Sequence, residues 1–179
     1  MSLSNGGELM AELKFIEVTK YHHHEIEKIH EILKASGENL YNTKGLLHWK
    51  TPYPIEAIKE NIENRTFFIV KDEGADEFIH TFQLEIKMPN EKSDTSLNEI
   101  TAEINKFATL PSYEGRGIGT QSIDFIEKYC ASNSIHRIFL EVYDQSFDAI
   151  HFYKSKGFAV IGERKTRYFT VLQMEKIID

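Results

Sequence analysis

The chain has 179 residues, of which 41% are hydrophobic and 27% are charged, a composition typical of one soluble globular domain. No apolar run approaches the roughly 20 residues that a membrane-spanning helix needs. The net charge of −7 argues against a broad nucleic-acid-binding surface, which would be basic. We therefore expect neither a membrane nor a nucleic acid as a partner. The single cysteine, Cys130, cannot form an internal disulfide, which favours the reducing cytoplasm as the location.

The amino-terminal segment lacks the basic and apolar regions of a secretory signal. It predicts a flexible leader over residues 1–12, followed by a single domain over residues 13–179. The strand LKFIEV (13–18) begins this predicted domain. An amphipathic helix follows, because apolar residues recur at helical spacing, and we expect Gly37 to end it.

An aromatic segment, residues 38–54, comes next and is predicted to be a loop, with a short helix starting at Pro54. Three adjacent histidines lie upstream of this segment, at 22–24, and suggest a metal site. Neighbouring helix residues point about 100° apart, so the three cannot face one ion. We therefore expect no metal site.

The rest of the chain alternates predicted strands and helices. Three strands come first, with a hairpin-type connection at 88–96 before the third, and the last part adds two helices and three strands. The predicted strands are RTFFIVKD (65–72), EFIHTFQLEIK (77–87), LNEITAEINKFATL (97–110), HRIFLEVY (136–143), FAVIG (158–162) and RYFTVLQMEKII (167–178). The order β-α-α-β-β-β-α-β-α-β-β predicts a mixed α/β sheet. Strands 102–110 and 136–142, joined through a helix, should be parallel neighbours.

The segment YEGRGIG (113–119) carries three glycines between a strand and a helix. Such residues let a ligand approach backbone N–H groups at a helix N-terminus, which bind anions such as phosphates. A P-loop would need a Gly-Lys-Ser/Thr ending, which GIGTQS lacks. A dinucleotide fingerprint would need a third glycine where Ser122 stands, and too few residues follow for that fold.

Two stretches resemble the Gcn5-related N-acetyltransferases (GNAT). LPSYEGRGIGTQSIDFIEKYC is similar to their coenzyme A motif, and IFLEVYDQSFDAIHFYKSKGF is similar to their Asn-x-x-Ala-x-x-Phe-Tyr-x-x-x-Gly-Phe stretch. The resemblance covers residues 99–174, and the first half fits through element order. It implies a single-domain α/β (α+β) fold, a mixed central sheet of about seven strands flanked by about four helices. Glu114 stands where the family has Gln or Arg, and Ser146 where it has Asn.

The resemblance implies acetyl-CoA as the acyl donor and no metal. In this family two central parallel strands splay apart and the pantetheine arm lies between them, while the glycine loop holds the diphosphate. The implied coenzyme-binding residues are Phe107, Ala108, Thr109, Glu114, Gly115, Arg116, Gly117, Ile118, Gly119, Thr120, Ser146 and Tyr153. Because Glu114 puts an acid beside the diphosphate, we expect weakened binding that backbone amides and Arg116 still support.

Direct transfer to an amine needs a proton acceptor for the ammonium and a donor for the leaving thiolate. The resemblance implies Tyr153 as the general acid. For the base it points to Glu103, on the strand before the loop, with Glu141 as the alternative. Period-two alternation predicts that Glu103, Asn105, Phe107 and Thr109 share one face. Cys130 is expected on the apolar side of its helix, which makes it a poor nucleophile.

The segment between the first two helices lines the acceptor pocket in this family, which implies substrate-binding roles for Tyr41, His48, Trp49 and Tyr53. These aromatic residues can equally be core anchors. The acceptor stays open among small amines, polyamines, amino acids, aminoglycosides and protein termini. The family often forms homodimers. A non-catalytic coenzyme A-binding sensor or scaffold, or a nucleotide-binding domain of another kind, are the alternatives.

Overall fold

The computed structural model describes residues 12–89 and 99–179. The predicted leader therefore lies outside the described residues except for Glu12, as does most of the predicted connection at 88–96. Seven strands form one sheet, namely β1 Leu13–Val18, β2 Thr66–Asp72, β3 Glu77–Lys87, β4 Thr101–Thr109, β5 Arg137–Tyr143, β6 Ala159–Lys165 and β7 Thr170–Ile177. The α-helices of the described residues are α1 His23–Lys44, α2 Ile55–Asn61, α3 Ile118–Ser132 and α4 Phe147–Ser155.

The sheet has the order β1-β2-β3-β4-β5-β7-β6. Strands β4 and β5 are parallel and every other adjacent pair is antiparallel. The predicted mixed sheet, its strand and helix order and its parallel central pair are confirmed. Since α3 connects β4 to β5, the glycine segment lies at the carboxyl end of β4, where the chain leaves the sheet.

Helices cover both faces of the sheet. Helices α3 and α4 pack on one face, with Ile123, Ile126 and Tyr153 in the cluster buried there. Helices α1 and α2 pack on the other face, where Ile29 and Ile58 are fully buried. The two faces are called the α3/α4 face and the α1/α2 face below.

Gly37 does not end α1, contrary to the sequence-based prediction. The helix continues to Lys44 and is terminated by Gly45, whose φ of 64° is left-handed. Gly37 is small for a different reason, because a Cβ there would lie 2.5 Å from Cε3 of Trp49. The indole thus packs directly on the helix backbone. Because α1 extends to Lys44, Tyr41 lies on this helix and not in the predicted loop.

We expect Gly37→Ala to lower the thermal stability. Helix propensity alone would favour alanine by about 1 kcal/mol, but the methyl group overlaps the ring of Trp49, and overpacking typically costs about 1–3 kcal/mol. Thermal unfolding measures the loss, and the fluorescence of Trp49, the single tryptophan, reports its displacement. Asn42→Ala, at an exposed position of α1, is the control. An equal rise in stability for both variants would contradict the close packing.

Strand β4 contains a β-bulge. Its register with β3 shifts between the pairs Asn105–Gln83 and Ala108–Thr81, and Lys106 has a φ of 50°. The prediction that Glu103, Asn105, Phe107 and Thr109 share one face is therefore wrong, because the extra residue reverses the alternation. Phe107 packs in the cluster of the α3/α4 face, and Ala108 packs in that of the α1/α2 face.

Candidate active site

The pairing of the two central strands stops halfway along them. The last β4–β5 pair is Ile104–Leu140, although the strands continue to Thr109 and Tyr143. Beyond this pair, along the edge of β4 that faces β5, the backbone groups of residues 105–109 have no strand partner among the described residues. A cavity of about 780 Å³ opens at the split, lined by residues of α1, β4, β5, α4, β6 and β7 and of the segment before α2. An extended ligand with amide groups can pair with this free edge.

The glycines of the loop serve two purposes. Gly115 and Gly117 have φ angles of 74° and 78°, which side chains rarely adopt, and a Cβ on either would meet nothing within 4 Å. Gly119 instead allows close packing, since its Cβ would lie 3.1 Å from Cζ of Phe152. The loop thus presents bare backbone beside open space.

The start of α3 offers unsatisfied backbone donors. The helix begins at Ile118, its N-cap Gly117 makes no side-chain capping bond, and its first turn has no acidic residue. The first N–H groups of a helix have no partner within it, and the dipole there is positive. Arg116 is exposed, with its guanidinium carbon 4.7 Å from the centre of the Tyr113 ring. These features fit a diphosphate, and Glu114, also exposed, is the one acid in the loop.

Tyr153 lies on α4 at the cavity wall. It is 8% exposed, and its ring packs against Phe107, Phe152 and Phe158 with centroid distances of 5.2–6.0 Å. Burial raises the pKa of the Tyr153 phenol above its ordinary value. The Tyr153 phenol is therefore protonated at neutral pH.

Of the other implied coenzyme-binding residues, Phe107 and Ser146 line the cavity, whereas Ala108, Thr109 and residues 114–120 are not part of its lining. Phe107, Ala108 and Thr109 end β4, residues 114–120 form the loop and first turn of α3, and Ser146 is the buried N-cap of α4. Nδ1 of His80 lies 2.8 Å from Oγ1 of Thr109. Burial lowers the pKa of His80 to about 3, so its ring is neutral.

The two candidate bases differ in position. Glu103 is paired with Lys87 and is not among the residues that line the cavity. Glu141 lines the cavity, accepts a 2.9 Å hydrogen bond from Nε of Arg164 and a 3.2 Å bond from Nε2 of Gln173. The hydrogen bonds from Arg164 lower the pKa of Glu141, although burial opposes them. Glu141 is thus a carboxylate at neutral pH.

The predicted acceptor aromatics separate into two groups. His48, Trp49 and Tyr53 line the cavity, whereas Tyr41 does not. The imidazole of His48 lies 4.8 Å from the ring of Tyr143, and its Nδ1 is buried without a partner. Burial lowers the pKa of His48 to about 4, so this wall of the cavity is neutral.

Lys106 is a cavity residue that the sequence analysis missed. Its Nζ donates a 2.7 Å hydrogen bond to Oε1 of Gln83 and lies 5.0 Å from the Tyr53 ring and 5.7 Å from the Phe67 ring. Burial lowers the pKa of Lys106 from 10.5 to about 8; the nearby charge of Arg65 adds to the effect, and that of Glu85 opposes it. The β-bulge at Lys106 leaves no signal in the sequence, so the sequence did not predict Lys106 as a site residue.

The comparison with known families decides the classification. The family model described as Acetyltransferase (GNAT) family matches residues 26–158, which is more than half of the chain. The chain belongs to the GNAT family. It is therefore an acetyltransferase of the N-acetyltransferase type, as the loop and the α4 motif implied.

Solved structures share the GNAT fold at low sequence identity. The ribosomal-protein-S18-alanine N-acetyltransferase of Escherichia coli has a TM-score of 0.71 and 14% identity, over 93% of this chain and 94% of that one. The PaiA N-acetyltransferase of Thermoplasma acidophilum, in complex with coenzyme A, has a TM-score of 0.70 and 18% identity, over 93% and 99%. The spermidine/spermine N-acetyltransferase of Vibrio cholerae has a TM-score of 0.62 and 19% identity, over 92% of each. No curated protein matches the sequence.

Cys130 is a poor candidate for a nucleophile in this GNAT domain. Cys130 is buried, as predicted, and burial raises the pKa of its thiol to about 12. Within residues 12–89 and 99–179 no group of three or more His, Cys, Asp or Glu could hold a metal ion. No helix in those ranges is long and apolar enough to cross a membrane.

The lowered pKa of Lys106 makes a testable contribution to stability. Between about pH 8 and 10.5 the unfolded chain holds a proton on this lysine that the folded chain has released. The free energy of unfolding of the wild type therefore rises with pH in this window. We expect the stability of Lys106→Met relative to the wild type to fall as pH increases through it, as measured by thermal unfolding. A relative stability that is independent of pH would contradict the pKa shift.

Proposed function

We propose that the protein transfers the acetyl group of acetyl-CoA to a primary amine by direct attack, without a covalent enzyme intermediate. The observation that carries the proposal is the bare, uncapped start of α3 beside the split between β4 and β5. In this arrangement the loop at 114–120 binds the diphosphate, and the free edge of Phe107, Ala108 and Thr109 pairs with the pantetheine amides. The donor supplies the activated acetyl group, and the chain positions it.

Tyr153 is proposed to donate the proton that the leaving thiolate needs. It lines the cavity on α4, and its phenol is protonated because burial raises its pKa. A phenol in this state can donate a hydrogen bond or a proton to developing negative charge on sulfur. The aromatic rings packed against Tyr153 fix the orientation of its side chain, so this side chain needs little reorganisation during the reaction.

Glu141 is favoured over Glu103 as the acceptor of the ammonium proton. Both carboxylates remain candidates, but Glu141 lines the cavity whereas Glu103 is paired with Lys87 outside it. Arg164 holds Glu141 in its charged form, in which it can accept a hydrogen bond or a proton. We propose that the ammonium proton passes to Glu141 through a water molecule. The low pKa of this carboxylate makes it a weak base for the step, whether or not a water lies between.

Matched glutamine variants separate the two glutamates. We expect Glu141→Gln to lower kcat roughly 10²- to 10⁴-fold near neutral pH, with a loss that narrows as pH rises because more of the amine is already neutral. Glu103→Gln should keep kcat within a few-fold. Steady-state rates as a function of pH measure both. A pH-dependent loss confined to Glu103→Gln would assign the base to Glu103 instead.

A thiol-release assay with acetyl-CoA and a panel of amines tests the proposed transfer itself. By their names, two of the structural neighbours acetylate an alanine of ribosomal protein S18 and spermidine or spermine, so the panel contains peptides and polyamines, together with amino acids. We expect coenzyme A release that depends on one amine class.

A coenzyme A-binding module without catalysis is the second candidate function. Glu114 is the observation that favours it, because an exposed acid beside the expected diphosphate weakens anion binding. Binding of acetyl-CoA in calorimetry without thiol release for any amine would support this function and contradict acetyl transfer.

A further inference from the structure

The cavity at the split between β4 and β5 contains one cationic side chain without a carboxylate partner among the described residues. Its other cations are neutralised, since Lys44 pairs with Asp148 and Arg164 pairs with Glu141. His48 is neutral because its pKa is lowered. Lys106 is left with an amide oxygen and two aromatic rings as its contacts, since the nearby charges of Arg65 and Glu85 pair with each other. The cavity therefore has an unmatched positive charge.

Lys106 is placed at a cost to the folded chain. Its φ of 50° lies in the left-handed region, which is unfavourable for a residue with a side chain. Its charge is also partly removed from water, as the lowered pKa indicates. Its amide partner, Gln83, is fully buried and leaves Nε2 without a hydrogen bond. Backbone outliers and unpaired polar groups of this kind concentrate at functional sites.

The donor does not supply an anion for Lys106. The ammonium of Lys106 lies over Phe67, on the α1/α2 face of the sheet. The side chain of the next residue, Phe107, points to the opposite, α3/α4 face. The pantetheine arm that would lie along the split carries no charge, and the phosphates belong to the start of α3. An anion at Lys106 must therefore come with the acceptor.

We propose that the acceptor amine carries a carboxylate, which Lys106 binds, so that the substrate class is amino acids and related amino-carboxylates. This inference rests on the proposed acetyl transfer. The aromatic wall of His48, Trp49 and Tyr53 contacts the carbon skeleton between the two polar ends. Polyamines are disfavoured, because a second ammonium near Lys106 is repelled in a partly desolvated site.

The test compares amino acids with their own carboxamides in the thiol-release assay, for the wild type and for Lys106→Met. The acid-to-amide ratio of kcat/KM is taken within each protein, so differences in amine reactivity cancel between proteins. We expect the ratio to fall by about tenfold or more in Lys106→Met, mainly through KM, because a hydrogen bond to a charged group is lost. Lys106→Arg should keep most of the preference.

Lys128→Met is the matched control. Lys128 is exposed on α3, against the opposite face of the sheet, so the same loss of charge should leave the ratio unchanged. An acid-to-amide ratio that is the same in wild type and Lys106→Met would overturn the proposal, as would spermidine being the best acceptor. An equal loss of kcat for acids and amides would also overturn it, because Lys106 would then act on the reacting atoms.

Binding without turnover separates this inference from the proposed function. Trp49 lines the cavity, so its fluorescence reports acceptor binding in the presence of coenzyme A. If no amine releases thiol, a fluorescence titration that favours amino acids over amides in wild type, and loses that preference in Lys106→Met, would keep the carboxylate site and reject acetyl transfer. Equal titrations would reject the carboxylate site.

Discussion

Tyr153→Phe is expected to lower kcat roughly 10- to 10⁴-fold, because general acid catalysis is typically worth 10²–10⁴ and chemistry need not be the only slow step. The substitution removes one oxygen and keeps the ring, which packs against Phe107, Phe152 and Phe158. The KM for acetyl-CoA should change little, since the diphosphate contacts lie elsewhere. Single-turnover rates measure the chemical step directly.

Phe152→Leu is the control for this prediction. Phe152 adjoins Tyr153 on α4 and packs near Gly119, so the variant perturbs the same hydrophobic cluster without removing a phenol. We expect it to lower thermal stability more than Tyr153→Phe, and kcat less. A single-turnover rate for Tyr153→Phe equal to that of the wild type would exclude the phenol as the acid.

Gly117→Ala is expected to weaken acetyl-CoA binding by about tenfold or more. Its left-handed φ costs a residue with a side chain about 1–2 kcal/mol, and the methyl group enters the open space above the loop. Relaxing that strain rotates the backbone donors at the start of α3 away from the diphosphate, where charge-assisted bonds are worth about 1.5–3 kcal/mol. Calorimetric titration with coenzyme A measures the loss.

Gly157→Ala carries a similar backbone strain outside the cavity. Gly157 has a φ of 86°, and a Cβ there would meet the side chain of Lys176. We expect a comparable loss of thermal stability with unchanged affinity for coenzyme A. Equal affinities for Gly117→Ala and the wild type would mean that the loop backbone does not hold the ligand.

The fold could be predicted from the sequence because it depends on local patterns. Alternating residues marked β3 and β5, and the spacing of isoleucines marked α1. The prediction that Gly37 ends α1 was wrong because the glycine is required by its contact with Trp49, a residue outside this helix. The bulge at Lys106 depends on the register with β3, and a register between strands leaves no trace in a single sequence.

The candidate site divides in the same way. The glycine loop and Tyr153 could be found because they lie in contiguous motifs of one segment each. The pairing of Glu141 with Arg164 links β5 to β6, which are not adjacent in the sheet order, and the pairing of Glu103 with Lys87 links β4 to β3. Which glutamate faces the cavity is decided by these long-range contacts, so the sequence could not choose between them.

The direct measurement of the central claim is a pair of calorimetric titrations of the wild-type protein, one with acetyl-CoA and one with acetyl-pantetheine, which lacks the diphosphate together with the 3′-phosphoadenosine attached to it. If the backbone N–H groups at the start of α3 bind the diphosphate, acetyl-CoA binds with measurable heat at submillimolar concentration. Acetyl-pantetheine then binds at least about tenfold more weakly. Equal affinities for the two, or no heat with acetyl-CoA at millimolar concentration, would contradict the claim.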